Sequence, residues 1–333
     1  MNSYRYKVVV TDYNYLDLEK EKNILKEVDA KLIPAQCKTE DDVIKIAADA
    51  DALLNQYAPL TEKVFANLKK CKAVARYGIG VNNIDVEAAT RKGIMVINVP
   101  SYCEDEVAEH ALALILSCIR KIFLYNLQAK KGIWDWKVGK PIFSLSEQTL
   151  GLVGFGKIAQ RLAKKAKCLG FKVIAFDPYI MEDEFNKEEV EKVEFDELIR
   201  GADVISLHTP LTDATQHIFS HKEFDQMKSS AFIINTARGA LIDEKALYSA
   251  LLNKKIQGAA VDVLESEFPD MTNPLFQLDN FIATPHTAWY SETSLAKLQT
   301  KPALDIAKVL KGEIPEGLVN TELIKKKDTR RIT

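Results

Sequence analysis

The sequence predicts an α/β protein made of two doubly wound parallel-sheet domains with an interdomain cleft. Three observations carry this expectation. Short β-branched runs alternate with charged stretches whose apolar residues recur at helical spacing, as strands joined by crossover helices do. The alternation runs once before residue 100 and starts again at residue 149. The 333 residues, 47% of them hydrophobic, are enough for two cores of ordinary size.

In the first series, residues 7–11 (KVVVT), 31–35, 51–55 (DALLN), 72–76 (KAVAR) and 94–98 (IMVIN) read as strands. Between them lie amphipathic stretches such as LEKEKNILKEV, with Leu18, Ile24, Leu25 and Val28 on one face. Next comes one long predicted helix, from about 104 to 130. It opens on acidic residues, as a helix N-terminus prefers. Its middle is apolar nearly all round (Val107, Ala108, Ala111, Leu112, Leu114, Ile115, Ile119, Ile122, Phe123). A helix of that kind needs cover on every side, which places it at a domain junction, a subunit interface or both. A segment rich in Gly, Trp and Lys follows at 131–141.

The second series has strands at 149–153, 172–176, 203–207, 231–235, 258–263 and 280–284, and helices near 157–169, 195–200, 221–228 and 243–254. Residues 291–311 read as a last helix, with Pro302 a predicted kink. Too little chain follows it for a third domain, so it is expected to pack back on the first. That makes the first domain discontinuous, residues 1–100 plus 288–333, around a second at 101–287, with a hinge where the chain crosses twice.

Composition narrows the function. Lys plus Arg number 45 and Asp plus Glu 47, a net charge of −2, which argues against a nucleic-acid or membrane surface as the main partner. The basic tail IKKKDTRRIT, 324–333, reads as a solvated end. Cys37, Cys71, Cys103, Cys118 and Cys168 form no CxxC pair and no zinc spacing, so no metal is expected and a reduced cytoplasmic setting is. The start lacks a signal peptide's apolar core, and the longest apolar run, 111–119, falls far short of the ~20 residues that span a bilayer.

The chemistry begins at TLGLVGFGKIAQRL. Gly154-x-Gly156-x-x-Ala159 lies between a predicted strand and a predicted helix. Glycine at 154 permits the tight turn, glycine at 156 admits a pyrophosphate to the backbone, and Ala159 allows close packing of helix and strand. The next strand ends at Asp177, eighteen residues after Ala159, where an acid can accept both ribose hydroxyls of NAD and repel a 2′-phosphate. Strand, turn, helix, strand and acid in this order predict a Rossmann-type NAD site.

Three further points cluster at the C-terminal ends of predicted strands, where such sheets bind ligands. They are Arg238, the group Asp262, Glu265 and Glu267, and His286 in TPHTAWYSE. Taken singly, a loop arginine or glutamate is an ordinary surface charge, and His286 fits a structural histidine at a strand end. Together they suit reduction of a 2-keto acid. Arginine's planar fork holds a carboxylate or carbonyl. Histidine can give a proton to the alkoxide that hydride transfer creates. A neighbouring glutamate would orient the imidazole and favour its protonated form.

Over nearly the whole chain the sequence resembles the D-isomer-specific 2-hydroxyacid dehydrogenases. The carriers are RYGIGVNNIDVEAATRKGIMVINVP (76–100), GLVGFGKIAQ (151–160), NTARGALIDEKAL (235–247), GAAVDVLESEFP (258–269) and TPHTAWYSE. DVLESE and HTAWYSE are most similar to the C-terminal-binding-protein branch, which includes NAD(H)-binding corepressors. The resemblance implies a flavodoxin-like substrate domain, a Rossmann NAD domain and a homodimer. It implies Arg238 as substrate anchor, His286 as acid/base and Glu267 as its partner, with Glu265 not the partner. Gly78, Ile79 and Gly80 would offer backbone N–H groups to the substrate carboxylate, although a strand-ending turn reads the same way. The NAD contacts it implies are Gly154, Phe155, Gly156, Lys157, Ile158, Asp177, Thr209, Pro210, Thr215, Thr236, Ala237, Asp262 and His286. Trp289 reads either as a wall of the substrate pocket or as packing at a helix start. Cys103 sits where relatives carry a small polar residue near the cofactor. His110, His208, His217 and His221 read as structural.

The expected activity is therefore NADH-dependent reduction of a small 2-keto acid, with neither a membrane nor nucleic acid as a direct partner. An NADH-sensing interaction protein is the alternative from another class; the corepressors' long C-terminal extension has no counterpart in these residues. Phosphoglycerate dehydrogenase is the alternative among enzymes. Glu267 disfavours formate dehydrogenase, whose relatives pair the histidine with glutamine.

Overall fold

The structure is a computed structural model that describes residues 4–324, so the basic tail lies outside the described residues apart from Ile324. The chain forms two compact units, Met1–Tyr102 with Ser291–Thr333, and Cys103–Tyr290. The expected boundaries lay two or three residues earlier.

The first unit holds a parallel sheet of β1 (Tyr6–Val10), β2 (Ala30–Pro34), β3 (Ala52–Asn55), β4 (Ala73–Arg76) and β5 (Met95–Ile97) in the order β2-β1-β3-β4-β5. This is the flavodoxin-like order, with its switch point between β1 and β3. The central strands read as unbroken apolar runs because both faces are covered: Val8, Val9, Val10, Leu53 and Leu54 are fully buried. Helix Glu292–Lys311 belongs to this unit, as expected from the short remaining chain. It starts in a capping box between Ser291 and Ser294 and ends at Gly312 in the left-handed conformation. It is fastened where the Gln299 side chain donates to the Asp17 carbonyl (2.9 Å) and the Tyr6 hydroxyl to the Leu310 carbonyl (3.1 Å).

The second unit holds β6 (Thr149–Val153), β7 (Lys172–Phe176), β8 (Glu191–Lys192), β9 (Val204–Leu207), β10 (Phe232–Asn235), β11 (Gly258–Val261) and β12 (Phe281–Ala283). All are parallel, in the order β12-β11-β10-β9-β6-β7-β8. This is the Rossmann arrangement extended by one edge strand, with its switch point between β6 and β9. The two-residue β8 is too short to leave a period-2 pattern, and the sequence did not show it.

The single helix expected over 104–130 is corrected to two, Glu104–Ile119 and Ile122–Lys130. Lys121 lies between them with φ +52, a left-handed residue that ends one helix and re-aims the next. Ala108, Ala111, Leu114, Ile115, Cys118 and Ile119 pack into the unit's own core with Leu150, Leu152, Leu162 and Ile234. Apolar surface stays exposed further on, at Ile122, Phe123, Ile133, Trp134, Trp136 and Phe143. Among the described residues no helix is long and apolar enough to cross a membrane.

Candidate active site

The nucleotide turn follows β6. Gly154 has φ +91, and a Cβ there would lie 2.8 Å from the His208 and Thr209 backbone, so the close pass of β9's end demands glycine. Gly156 differs: a Cβ would meet nothing within 4 Å, so its glycine leaves open space. Helix Lys157–Cys168 starts there, with first-turn N–H groups that lack partners within the helix. An open Gly156 beside a helix N-terminus fits a pyrophosphate. Asp177, after β7, accepts the N–H of Phe155 (2.9 Å) and of Tyr179 (2.9 Å), which fixes its carboxylate against the glycine turn. The Phe155 ring is core, stacked on Phe185 at 4.4 Å, and its N–H is given to Asp177. Lys157 lies 3.6 Å from Glu104.

After β9, the Thr215 hydroxyl donates to the Pro210 carbonyl (2.7 Å) and accepts the Thr212 N–H (2.8 Å), closing the turn that begins at Thr209. After β10, fully buried Asn235 staples the next turn by donating to the Arg238 carbonyl (2.8 Å) and accepting the Ala237 N–H (3.0 Å). The sequence reading missed Asn235, whose signal was a polar residue at the end of an apolar strand. Within this turn the Thr236 hydroxyl oxygen is buried without a hydrogen-bond partner among the described residues. An orphaned polar atom here fits a bound polar group. Arg238 Nη1 donates to the Ala237 carbonyl at 2.6 Å, which pins the guanidinium at its base.

After β11 and β12 lies the acid–base pair. His286 Nδ1 sits 2.6 Å from Glu267 Oε1. Glu265 faces elsewhere: its carboxylate lies 3.2 Å from His217 Nε2 and accepts the Glu244 N–H at 3.2 Å. His286 has φ +51, a conformation that costs on the order of 1–3 kcal/mol in a non-glycine residue unless its surroundings impose it. They do so here. The His286 N–H donates to the carbonyls of Asp262 (2.8 Å) and Thr284 (3.0 Å), and the Trp289 indole N–H donates to the His286 carbonyl (2.9 Å). Asp262, 1% exposed, accepts the N–H of Thr287 (2.9 Å) and Ala288 (2.8 Å). Trp289 thus holds the histidine loop, a role neither sequence reading of it named.

His208 also differs from a plain structural histidine. The residue keeps some exposure, but its ring is enclosed and bonded to Ser206 Oγ at 2.8 Å, and burial pushes its pKa down to about 4. Cys103 is buried, immediately before helix Glu104–Ile119.

In the first unit, the Gly78 N–H donates to the Arg76 carbonyl (2.9 Å), so it is not the outward donor the sequence suggested. Asn98 Nδ2 donates to the Ile79 carbonyl (2.7 Å) and fixes the loop. Arg76, at the end of β4, folds over Gly78: a Cβ there would fall 1.7 Å from Nη1. Arg76 Nε is buried without a partner among the described residues. The sequence reading passed over Arg76, though an arginine ending an apolar strand was its signal.

A family model described as the NAD-binding domain of D-isomer-specific 2-hydroxyacid dehydrogenases matches residues 112–288. The chain is 42% identical over 316 residues to a D-3-phosphoglycerate dehydrogenase of Methanocaldococcus jannaschii, covering 94% of this chain and 59% of that protein. It thus spans less than two thirds of that relative. It is 37% identical to a hydroxypyruvate reductase of Thermotoga maritima, covering 93% of this chain and 99% of that one. Among solved structures, a D-lactate dehydrogenase from Aquifex aeolicus complexed with NAD and lactic acid superimposes with a TM-score of 0.83 at 28% identity, over 96% of this chain and 98% of that one. The chain therefore belongs to the D-isomer-specific 2-hydroxyacid dehydrogenases, NAD-dependent oxidoreductases that act on the CH–OH group of 2-hydroxy acids, and its second unit carries the family's NAD-binding domain.

Proposed function

We propose that the protein reduces small 2-keto acids to 2-hydroxy acids in the cytoplasm, with His286 as proton donor, Glu267 as its partner and Arg238 as substrate anchor. The observation that carries this reading is the His286–Glu267 contact of 2.6 Å, beside β12 and in the unit that bears the nucleotide turn. A carboxylate only accepts, so Nδ1 carries a hydrogen and Nε2 faces the substrate carbonyl. Bound NADH supplies the hydride to the carbonyl carbon. As charge grows on the carbonyl oxygen, His286 gives up the proton on Nε2, and Glu267 stabilises the imidazolium until that moment. Arg238 holds the carboxylate and carbonyl in plane, which its fork geometry suits better than an ammonium would.

For the cofactor we propose Gly154, Gly156, Lys157 and Ile158 at the pyrophosphate; Phe155, whose N–H is given to Asp177 and whose ring is core, only shapes the turn. Asp177 takes the ribose. Thr209, Pro210, Thr215, Thr236, Ala237, Asp262 and His286 lie toward the nicotinamide. For the substrate carboxylate we propose the backbone N–H groups of Ile79 and Gly80, with Arg76, whose Nε has no partner among the described residues, as a further contact and Gly78 as the residue that lets it pack. Trp289 is proposed to line the substrate side of His286. We further propose a homodimer that covers the exposed apolar residues between Ile122 and Phe143.

The relatives reported above are named for enzymatic reactions, which supports catalysis over a nucleotide-sensing interaction protein. Their names span phosphoglycerate, hydroxypyruvate and D-lactate chemistry. The test is NADH consumption with glyoxylate, hydroxypyruvate, 3-phosphohydroxypyruvate and pyruvate. Turnover of one or more supports the reading, and NADH binding without turnover of any would favour the sensing role.

A further inference from the structure

We propose that His110 is a positioning residue for the acid–base histidine, acting through Thr284 and Asp262; the proposal rests on the catalytic reading of His286. His110 lies in the middle of helix Glu104–Ile119, among apolar residues that enter the core. Its Nε2 is 3.0 Å from Thr284 Oγ1 and 3.6 Å from Asp262 Oδ1.

The hydrogen-bond inventory fixes the direction of each contact. Asp262 Oδ1 receives the Thr284 hydroxyl at 2.5 Å and the Thr287 N–H at 2.9 Å, while Oδ2 receives the Ala288 N–H at 2.8 Å. A carboxylate accepts and does not donate, so the one hydroxyl proton of Thr284 is committed to Asp262. Toward His110, Thr284 can then only accept. Nε2 of His110 must carry the hydrogen, which sets its tautomer.

The chain of contacts ends at the catalytic loop. Asp262 and Thr284 supply both carbonyls that take the His286 N–H, and the Asp262 carboxylate takes the next two N–H groups, of Thr287 and Ala288. These bonds impose the left-handed backbone of His286, and that backbone aims its ring at Glu267. His110 supplies the donor that keeps the Thr284 hydroxyl turned toward a carboxylate that is almost completely buried. Without it, Thr284 can rotate, and Asp262 loses one of the donors compensating its burial.

The test compares His110→Phe, which cannot donate, with His110→Gln, whose amide can. Thr284→Val breaks the same link from the other side and serves if the phenylalanine variant does not fold. His110→Phe and Thr284→Val should each lower kcat ~10- to 100-fold, as small misplacements of a reacting group do, with NADH affinity nearly unchanged. His110→Gln should recover most of the rate. The His286 imidazole ¹⁵N resonances should move in the first two variants and stay near wild type in the third. In a Glu267→Gln background, His110→Phe should cost much less than in the wild type, because both changes act on the same imidazole. Wild-type kcat with unmoved His286 resonances in His110→Phe, or in Thr284→Val, would overturn the proposal. So would equal losses in the Gln and Phe variants, or full additivity with Glu267→Gln. The resonance readout needs no turnover, so a protein inactive on every keto acid would sink the catalytic reading while still deciding whether His110 governs the His286 ring.

Discussion

Replacing Asp177 with serine should narrow a strong preference for NADH over NADPH. The Asp177 carboxylate is tied to the N–H groups of Phe155 and Tyr179, each at 2.9 Å, and cannot swing away from a ligand on the glycine turn. No lysine or arginine occurs in the following residues 178–181. A 2′-phosphate of charge about −2 placed ~5 Å from a fixed carboxylate would be repelled by ~6–7 kcal/mol at an effective dielectric of ~20. Salt and partial protonation of the phosphate remove part of that, and half of it still leaves ~3 kcal/mol, or ~100-fold. The loss of two ribose hydrogen bonds adds to the discrimination. The assay is side-by-side titration of both cofactors at saturating keto acid, with kcat/KM compared for wild type and Asp177→Ser. Wild type should prefer NADH by at least ~100-fold, and the serine variant should lose most of that margin, mainly through a lower KM for NADPH. Equal efficiency with both cofactors in the wild type would refute the reasoning, because it would mean that Asp177 does not face the ribose.

Other outcomes are expected. His286→Ala should lose ~100- to 10,000-fold in kcat, the range for removing a positioned acid, while NADH titration is little changed; near-normal turnover in the folded variant would contradict the assignment. Glu267→Gln should lower kcat for keto-acid reduction ~10-fold or more with NADH titration little changed, since a neutral amide no longer stabilises the imidazolium that delivers the proton, and wild-type turnover would argue against the pair. The fold should weaken in acid partly through His208. Its native value of about 4 lies below its ordinary 6.5, so the unfolded chain binds the extra proton and stability falls as pH drops from ~6.5 toward 4; thermal melts across that window should be flatter for His208→Gln. Paired substitution of exposed Phe123 and Trp134 by serine should convert a dimer to monomer in light scattering, and a monomeric wild type at micromolar concentration would contradict the proposed dimer.

The sequence by itself determined the two series of strands, the nucleotide turn and the strand-end positions of Arg238, Asp262, Glu267 and His286. These are local signals: period-2 and period-3.6 patterns, and glycines whose backbone needs are met within a few residues. Gly154 and Gly156 look alike in the sequence, yet the structure separates their reasons, since one is crowded by the end of β9 and the other opens onto empty space. The break at Lys121 was not legible, because no glycine or proline marks it and a buried lysine in the left-handed conformation depends on its surroundings. The family resemblance already named Glu267 rather than Glu265 as the partner of His286; what only the tertiary structure showed is where the other goes, since both follow β11 and Glu265 lies against His217. Nor could the sequence show that His110 meets Thr284, 174 residues away, or that the Arg76 Nε and the Thr236 hydroxyl have no partners among the described residues. Periodicity reports which face of an element is buried. Which polar atoms then meet is set by how strands distant in sequence stack side by side, and that is where the acid–base geometry of this chain is made.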